Sequence, residues 1–347
     1  MEELRKALKK ELIESIDHLL GQARSAVILM HTNPDGDAVG SALAMWHYLK
    51  ARNIAARVIA PDEFPDFLAW MPGASDILIH DRERREARQV ILEADLLICV
   101  DFNTADRLNG VQADFEESKA PCLLIDHHIS RGKFCDIAYT DTEISSTAEL
   151  LYRLIDESGH SELISREAAE CLFVGIMTDT GSFSYACHYA NTFTVTAELV
   201  RKGIDVEHIH RQVYDTYSEK RLRLLGYCLS EKLHVMQDIG TAWIALSIKE
   251  LEKFEFRNGD TEGVVNYTLG IKGVQFGALI TERQDKIKIS LRSKGSFDVN
   301  RIARSHFNGG GHKNAAGGDL YCSFDEAVVL FQNVIAQYAS ELKNLQS

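Results

Sequence analysis

Short unbroken runs of aliphatic residues, separated by stretches with helical spacing, dominate the first half of the chain. Ala26-Val27-Ile28-Leu29-Met30, Leu96-Leu97-Ile98-Cys99-Val100 and Cys122-Leu123-Leu124-Ile125 are too short for buried helices and carry no polar alternation. Such runs predict strands covered on both faces, as in a parallel sheet. Weaker strand signals fall at 56–60 and 77–79. Between them, 38–51 places Val39, Leu43, Trp46 and Leu49 at helical intervals, and 81–93 is charged helical material. A further helix is predicted over 2–20, and others over 146–157 and 166–178. This β-then-α alternation predicts an α/β domain built on a doubly wound, mostly parallel sheet.

The pattern changes after about residue 190. Helices over 191–201 and 206–230 have little strand signal between them and read as a connector. Strands at 232–236, 242–247, 275–281 and 287–292 predict a smaller α/β domain with a mixed sheet. The run Gly309-Gly310-Gly311-His312, coupled to Asn314 and a second glycine pair, reads as a shaped loop before a final helix over 323–345. The expected organisation is therefore 1–190, a helical connector 191–232, and 233–347. An apolar face of the connector between Val206 and Leu229 could support a homodimer.

The polar residues that end the first-half strands carry the chemistry. The first run leads into His31-Thr32-Asn33-Pro34-Asp35-Gly36-Asp37, the second into Asp101, the third into Asp126-His127-His128. Strand ends in open α/β sheets are where ligands sit. Asp179, at the end of an apolar helical segment, joins them, and the helix dipole disfavours an anion there unless a cation offsets it. His31, Asp35, Asp37, Asp101, His127 and Asp179 form a set too rich in carboxylate for a thiolate-type structural zinc site. They suit two hard divalent ions sharing one carboxylate, with Asp101 as the candidate bridge. Each piece alone has a plainer reading: Asn-Pro-Asp-Gly is an ordinary turn, Asp37 could cap the next helix, and Asp101 could cap a strand end. Asp126 is a candidate to orient the adjacent His127 through its second ring nitrogen.

Bulk properties narrow the partners. A formal net charge of −13 removes the general attraction that holds long nucleic acid, while leaving room for a short phosphorylated ligand. No apolar stretch approaches a membrane span, and the first residues are amphipathic and not a signal core. Seven cysteines without a CxxC pair fit reduced thiols and a cytoplasmic setting.

The motifs His31-x-Asn-Pro-Asp35-x-Asp37, Asp101, Asp126-His127-His128 and Asp179 resemble the four motifs of the DHH phosphoesterase family. Gly309-Gly310-Gly311-His312 with Ala315-Ala316-Gly317-Gly318 resembles the signature of its DHH-associated C-terminal domain. Length and layout are most similar to the nanoRNase/pAp phosphatase members. The resemblance implies a two-Mn²⁺ centre, with Mg²⁺ or Co²⁺ as substitutes, in the cleft between a catalytic domain and a substrate-binding domain. One ion would be held by His31, Asp35 and Asp101, the other by Asp37, Asp101, His127 and Asp179. His128, with Asp126 behind it, would lie beside the scissile phosphate. Arg292, Ser293, Gly309, Gly310, Gly311 and His312 would hold the substrate, Lys294 assisting, and Phe183, Tyr185 and Tyr267 are candidate base-stacking partners. The expected substrates are short RNA or DNA oligonucleotides, dinucleotides and pAp, with long duplex excluded. A cyclic-dinucleotide (c-di-AMP) phosphodiesterase shares these motifs and is the alternative; a RecJ-like single-strand exonuclease, a family II pyrophosphatase and a non-catalytic nucleotide sensor are further ones.

Overall fold

The computed structural model describes residues 2–129, 132–184, 187, 189–257 and 259–345. The chain divides into two compact units, residues 1–216 and 217–347. Among the described residues no helix is long and apolar enough to cross a membrane.

The first unit holds six strands: β1 (Ser25–Leu29), β2 (Ala55–Ala60), β3 (Leu78–Ile79), β4 (Leu96–Val100), β5 (Cys122–Asp126) and β6 (Ile137–Thr140). They pair in the order β3-β2-β1-β4-β5-β6, every neighbour parallel. The expected doubly wound parallel sheet is therefore present. The solid apolar runs split as a strand's two-residue period requires. Ala26, Ile28, Ile98, Leu123 and Ile125 pack on one face beneath the helices Gly36–Ala51, Thr147–Glu157 and Arg166–Asp179. Val27, Leu29, Leu97, Cys99 and Leu124 face the other layer, with Ala87 and Ile91 of the helix His80–Glu93. Strand order reverses between β1 and β4, which is the switch point where open α/β sheets bind ligands.

Two glycines set how closely the upper helices pack. A Cβ on Gly40 would lie 2.6 Å from the Cys171 carbonyl oxygen, and one on Gly175 would lie 2.5 Å from the Ala148 methyl. Gly40 lets Gly36–Ala51 and Arg166–Asp179 approach backbone to backbone, Gly175 lets Arg166–Asp179 pack tightly on Thr147–Glu157, and together they bring Asp37 and Asp179 to one point.

The helices expected as a connector divide between the units. Val195 and Leu199 of Ala190–Arg201, and Ile209 and Val213 of Val206–Tyr214, are buried in the first unit's core. Leu224 and Cys228 of Glu219–Glu231 are buried in the second.

The second unit carries a mixed sheet of β7 (Leu233–Met236), β8 (Thr241–Leu246), β9 (Phe276–Glu282), β10 (Ile287–Ser293), β11 (Gly309–Gly311) and β12 (Ala315–Leu320), ordered β11-β12-β10-β9-β8-β7. Only β8 and β9 run parallel. Ile287, Ile289 and Leu291 of β10 alternate into a core closed by the helices Val299–His306 and Phe324–Asn344. Several elements depart from expectation, β6, β11 and β12 among the strands. β6 was not foreseen, and the glycine run expected as a loop is an edge strand pairing with β12. Glycine leaves no two-residue pattern to detect, yet it is required: a Cβ on Gly309 would collide with the Gly317 backbone across the pair. The cysteines depart as well. The start of β5 and the turn before β6 join Cys122 and Cys135 in a disulfide, against the expectation of seven reduced thiols, and Cys99 Sγ lies 3.7 Å from Cys122 Sγ.

Candidate active site

Every polar residue expected at the strand ends of the first unit converges at the carboxyl edge of the sheet. Asp35 caps the helix Gly36–Ala51, accepting hydrogen bonds from the Asp37 and Ala38 N–H groups, both at 3.1 Å. Asp37, the alternative capping candidate, is instead aimed at a second helix. Its carboxylate accepts from Thr147 N–H at 2.7 Å and Ala148 N–H at 2.9 Å, the free amides that begin Thr147–Glu157. A helix N-terminus is a favourable seat for a carboxylate.

Two groups of side chains share Asp101. His31 Nε2 lies 3.4 Å from Asp101 Oδ2 and 3.9 Å from Asp35 Oδ1. His127 Nε2 lies 3.6 Å from Asp101 Oδ1, 3.8 Å from Asp37 Oδ2 and 3.5 Å from Asp179 Oδ2. The Asp101 carboxylate thus turns one oxygen to each histidine. Its own backbone has φ +67°, a left-handed conformation uncommon for a side-chain-bearing residue and one that clusters at functional sites.

Thr147, which the sequence reading passed over, fixes this bridge: its hydroxyl donates to Asp101 Oδ1 at 2.8 Å. The Ser145-Ser146-Thr147 run does carry a helix-start signal, and Ser146 is the cap. Nothing in that signal says that the next hydroxyl points to β4.

His31 is held by its other ring nitrogen: Nδ1 meets the Thr32 carbonyl at 2.8 Å. This leaves its Nε2 toward the carboxylates. The proposed orienter is corrected here. Asp126 holds His128, with Nδ1 to Oδ1 at 2.8 Å, and does not hold His127. Successive residues of an extended segment point to opposite sides, so Asp126 and His128 meet while His127 faces away.

Burial dominates the electrostatics. It raises the Asp37 carboxyl to about 7, helped by the Asp35 charge, and raises Asp101 well above the usual carboxylate range, helped by Asp37, Asp35 and Asp179. Burial, then the Arg107 charge, lowers His31 to about 4; burial, then His127, holds His128 neutral. Asp126 Oδ2 is buried with no hydrogen-bond partner.

These residues fit a divalent metal pair. Nitrogen-to-oxygen distances of 3.4–3.9 Å exceed a good hydrogen bond. They approach the separation, about 3.0–3.4 Å, of neighbouring ligands each about 2.1 Å from one ion. Among the groups that come within 4.8 Å of one another are His31, Asp35 and Asp101; Asp37, His127 and Asp179; and Asp101, Asp126 and His128.

In the second unit, Arg292 is the last residue but one of β10, flanked by Gly277 on β9 and Ala315 on β12. Its Nη1 donates to the Leu291 carbonyl at 3.0 Å, and its Nε is buried without a partner. Ser293 was expected to touch substrate, but its hydroxyl donates to Phe297 O at 2.6 Å and accepts from Asn314 Nδ2, so it fixes the turn behind Arg292. Lys294 is drawn to the Leu269 carbonyl. Gly309 and Gly310 lie opposite Gly318 and Gly317, a strip without side chains, and His312 N–H closes the hairpin onto Ala315 O. Of the aromatic candidates, Tyr267 is 52% exposed and Phe183 packs against the core. Tyr185 lies outside the described residues.

Comparison with known proteins agrees with this geometry. Residues 25–176 match the DHH family, N-terminal domain, and residues 240–343 the DHHA1 domain. The probable bifunctional oligoribonuclease and PAP phosphatase NrnA of Streptococcus mutans is 30% identical over 92% of this chain and 94% of its own. The chain belongs to the DHH family. Another relative, the bifunctional oligoribonuclease and PAP phosphatase NrnA of Bacillus subtilis, is 27% identical over 92% of the chain and 95% of its own. A crystal structure of an exopolyphosphatase-related protein from Bacteroides fragilis is 44% identical and superposes with a TM-score of 0.91, covering 96% of this chain and 98% of that one. Membership makes the chain a phosphoesterase-type hydrolase, and the first unit is the part that carries the DHH motifs.

Proposed function

We propose that this DHH enzyme hydrolyses short oligonucleotides to mononucleotides and removes the 3′-phosphate of pAp, with Mn²⁺ as its preferred ion. The observation that carries the reading is the Asp101 carboxylate, whose two oxygens face two separate His/Asp groups. His31, Asp35 and Asp101 would hold one ion, and Asp37, Asp101, His127 and Asp179 the other. A bound divalent pair supplies an acidified, oriented water and offsets charge on the phosphate oxygens.

The remaining roles belong to the chain. Asp126 fixes the His128 ring through Nδ1; burial raises the Asp126 carboxyl, and when that carboxyl donates the shared proton to Nδ1, the neutral ring carries its own hydrogen on Nε2 for the leaving oxygen. Thr147 holds Asp101 in its bridging rotamer. Arg292 binds a second phosphate of the same substrate through its guanidinium fork, Ser293 holds the turn that carries it, and His312 and the Gly309–Gly311 strip admit the nucleotide close to backbone. Recognition of a second phosphate favours dinucleotides, other short oligomers and pAp, and the net charge of −13 opposes long polymer.

The test is a Mn²⁺ turnover panel of pApA, a 5′-phosphorylated pentanucleotide, pAp, cyclic di-AMP and a long single strand, each with an EDTA control. Rapid release of mononucleotide from pApA and of phosphate from pAp is expected. Preference for cyclic di-AMP or the long strand would overturn the substrate assignment and leave the metal site standing.

A further inference from the structure

Arg107 lies in the 3₁₀ segment Ala105–Val111 that follows β4, anchored by the buried Leu108 and Val111. Its carbonyl oxygen accepts the Thr32 N–H at 2.8 Å, which ties the segment to the residue after His31. The charge of its guanidinium acts on His31, Asp35, Asp126 and His128, groups supplied by three separate elements. The guanidinium therefore lies within electrostatic reach of the cluster.

Beside several carboxylates, an arginine would be expected to pair with one. Arg88 does so, bonding Asp114 and both oxygens of Glu117. Among the described residues Arg107 makes no ion pair within 4.0 Å, and its Nε is buried with no hydrogen-bond partner. An unmet buried N–H is costly to a fold. A fold that holds a guanidinium unpaired at the rim of an acidic centre has kept it for an anion that arrives from outside. The anion brought to a carboxylate-held divalent centre is a phosphate.

We infer that Arg107 is a catalytic residue that grips a non-bridging oxygen of the scissile phosphate. This rests on the hydrolase reading above and adds to it a cationic contact from the first unit. The alternative role, merely offsetting carboxylate charge, would leave phosphate affinity unchanged when the arginine is removed.

The experiment compares wild type, R107Q and R107K as full-length, Mn²⁺-loaded proteins. It measures inorganic phosphate binding and Mn²⁺ stoichiometry by calorimetry, and pAp hydrolysis by phosphate release. R107Q should bind phosphate at least tenfold more weakly and lose about 100-fold or more in kcat/KM, the scale of one lost oxyanion donor. Mn²⁺ stoichiometry should be unchanged, since removing a positive charge cannot weaken cation binding. R107K keeps the charge without the fork and should fall between; it carries the test alone should R107Q not fold. Wild-type phosphate affinity in R107Q, or loss of Mn²⁺ from it, overturns the inference. Phosphate binding needs no turnover, so the two readings separate. A wild type that cleaves no nucleotide but binds phosphate through Arg107 sinks the substrate reading alone, and hydrolysis with phosphate binding indifferent to Arg107 sinks only the inference.

Discussion

Replacing Asp101 by asparagine should make the metal-free protein more stable and the metal-loaded protein inactive. The carboxylates of Asp35 and Asp126 each come within 4.8 Å of Asp101. At an effective dielectric of 20, like charges at that distance repel by about 3.5 kcal/mol per pair. The folded chain can escape by binding a proton, which for an ordinary aspartate at pH 7 costs about 4 kcal/mol. The two pairs together repel by about 7 kcal/mol, so the smaller cost of protonation is the ceiling on what Asp101 costs without metal. Asparagine removes the penalty but weakens the Thr147 hydrogen bond from charged to neutral acceptor, a loss of about 1 kcal/mol. The net expectation is a gain of about 1–3 kcal/mol, or about 3–9 °C in Tm for a unit of this size.

The assay is thermal unfolding in EDTA and in Mn²⁺, from pH 4 to 8. The folded-state pKa of Asp101 is raised, so its penalty is absent below the unfolded value near 4 and grows as pH rises above it. The advantage of D101N should therefore vanish toward about pH 4. In Mn²⁺ the order should reverse, because only the wild type gains the binding energy of two ions. Equal stability of the two proteins in EDTA at pH 7, or an equal Mn²⁺-induced rise in Tm, refutes the bridging role.

Thr147→Val should lower kcat/KM about 10–100-fold through weaker metal retention, the scale for groups that orient a ligand, and Thr147→Ser should restore it; metal titration by calorimetry reads the difference. Gly40→Ala places a methyl 2.6 Å from the Cys171 carbonyl, so urea unfolding should show a loss of about 1–3 kcal/mol, with Mn²⁺ binding weakened because Asp37 and Asp179 are pushed apart. Arg292→Ala should raise KM for 5′-phosphorylated dinucleotide at least tenfold while leaving hydrolysis of a simple aryl phosphate nearly unchanged; an equal loss on both would indicate a folding defect.

The first unit was legible because its information is local. A run such as Leu96–Val100 is buried on both faces, so composition alone marks the strand, and the residue that ends it is marked as well. The site residues follow because all but Asp179, which ends a helix, lie at such a junction. What stayed hidden depends on contacts between distant segments. Thr147 reaches Asp101 across 46 positions, and the chain near Thr147 reads only as a helix start. Arg107 is one of many arginines until the packing of Ala105–Val111 aims it. β11 and β12 were missed because close backbone packing selects glycine and small residues there, and those erase the alternation by which a strand is known.

The same packing explains how an acidic cluster survives in a folded core. Asp35 and Asp37 each receive amide hydrogens from a helix start, and those two helices are locked to Arg166–Asp179 through positions where only glycine fits. The rigid frame therefore bears the repulsion, and the carboxylates cannot relax apart when the site holds no cation. A looser frame would bind each ion less tightly, because its ligands would have to be gathered from solvent each time. This gives the glycine contacts a functional consequence separate from stability. A substitution at Gly175 that is compensated by a stabilising change elsewhere should recover the melting temperature without recovering metal affinity. Recovery of both together would mean that the frame matters only for folding.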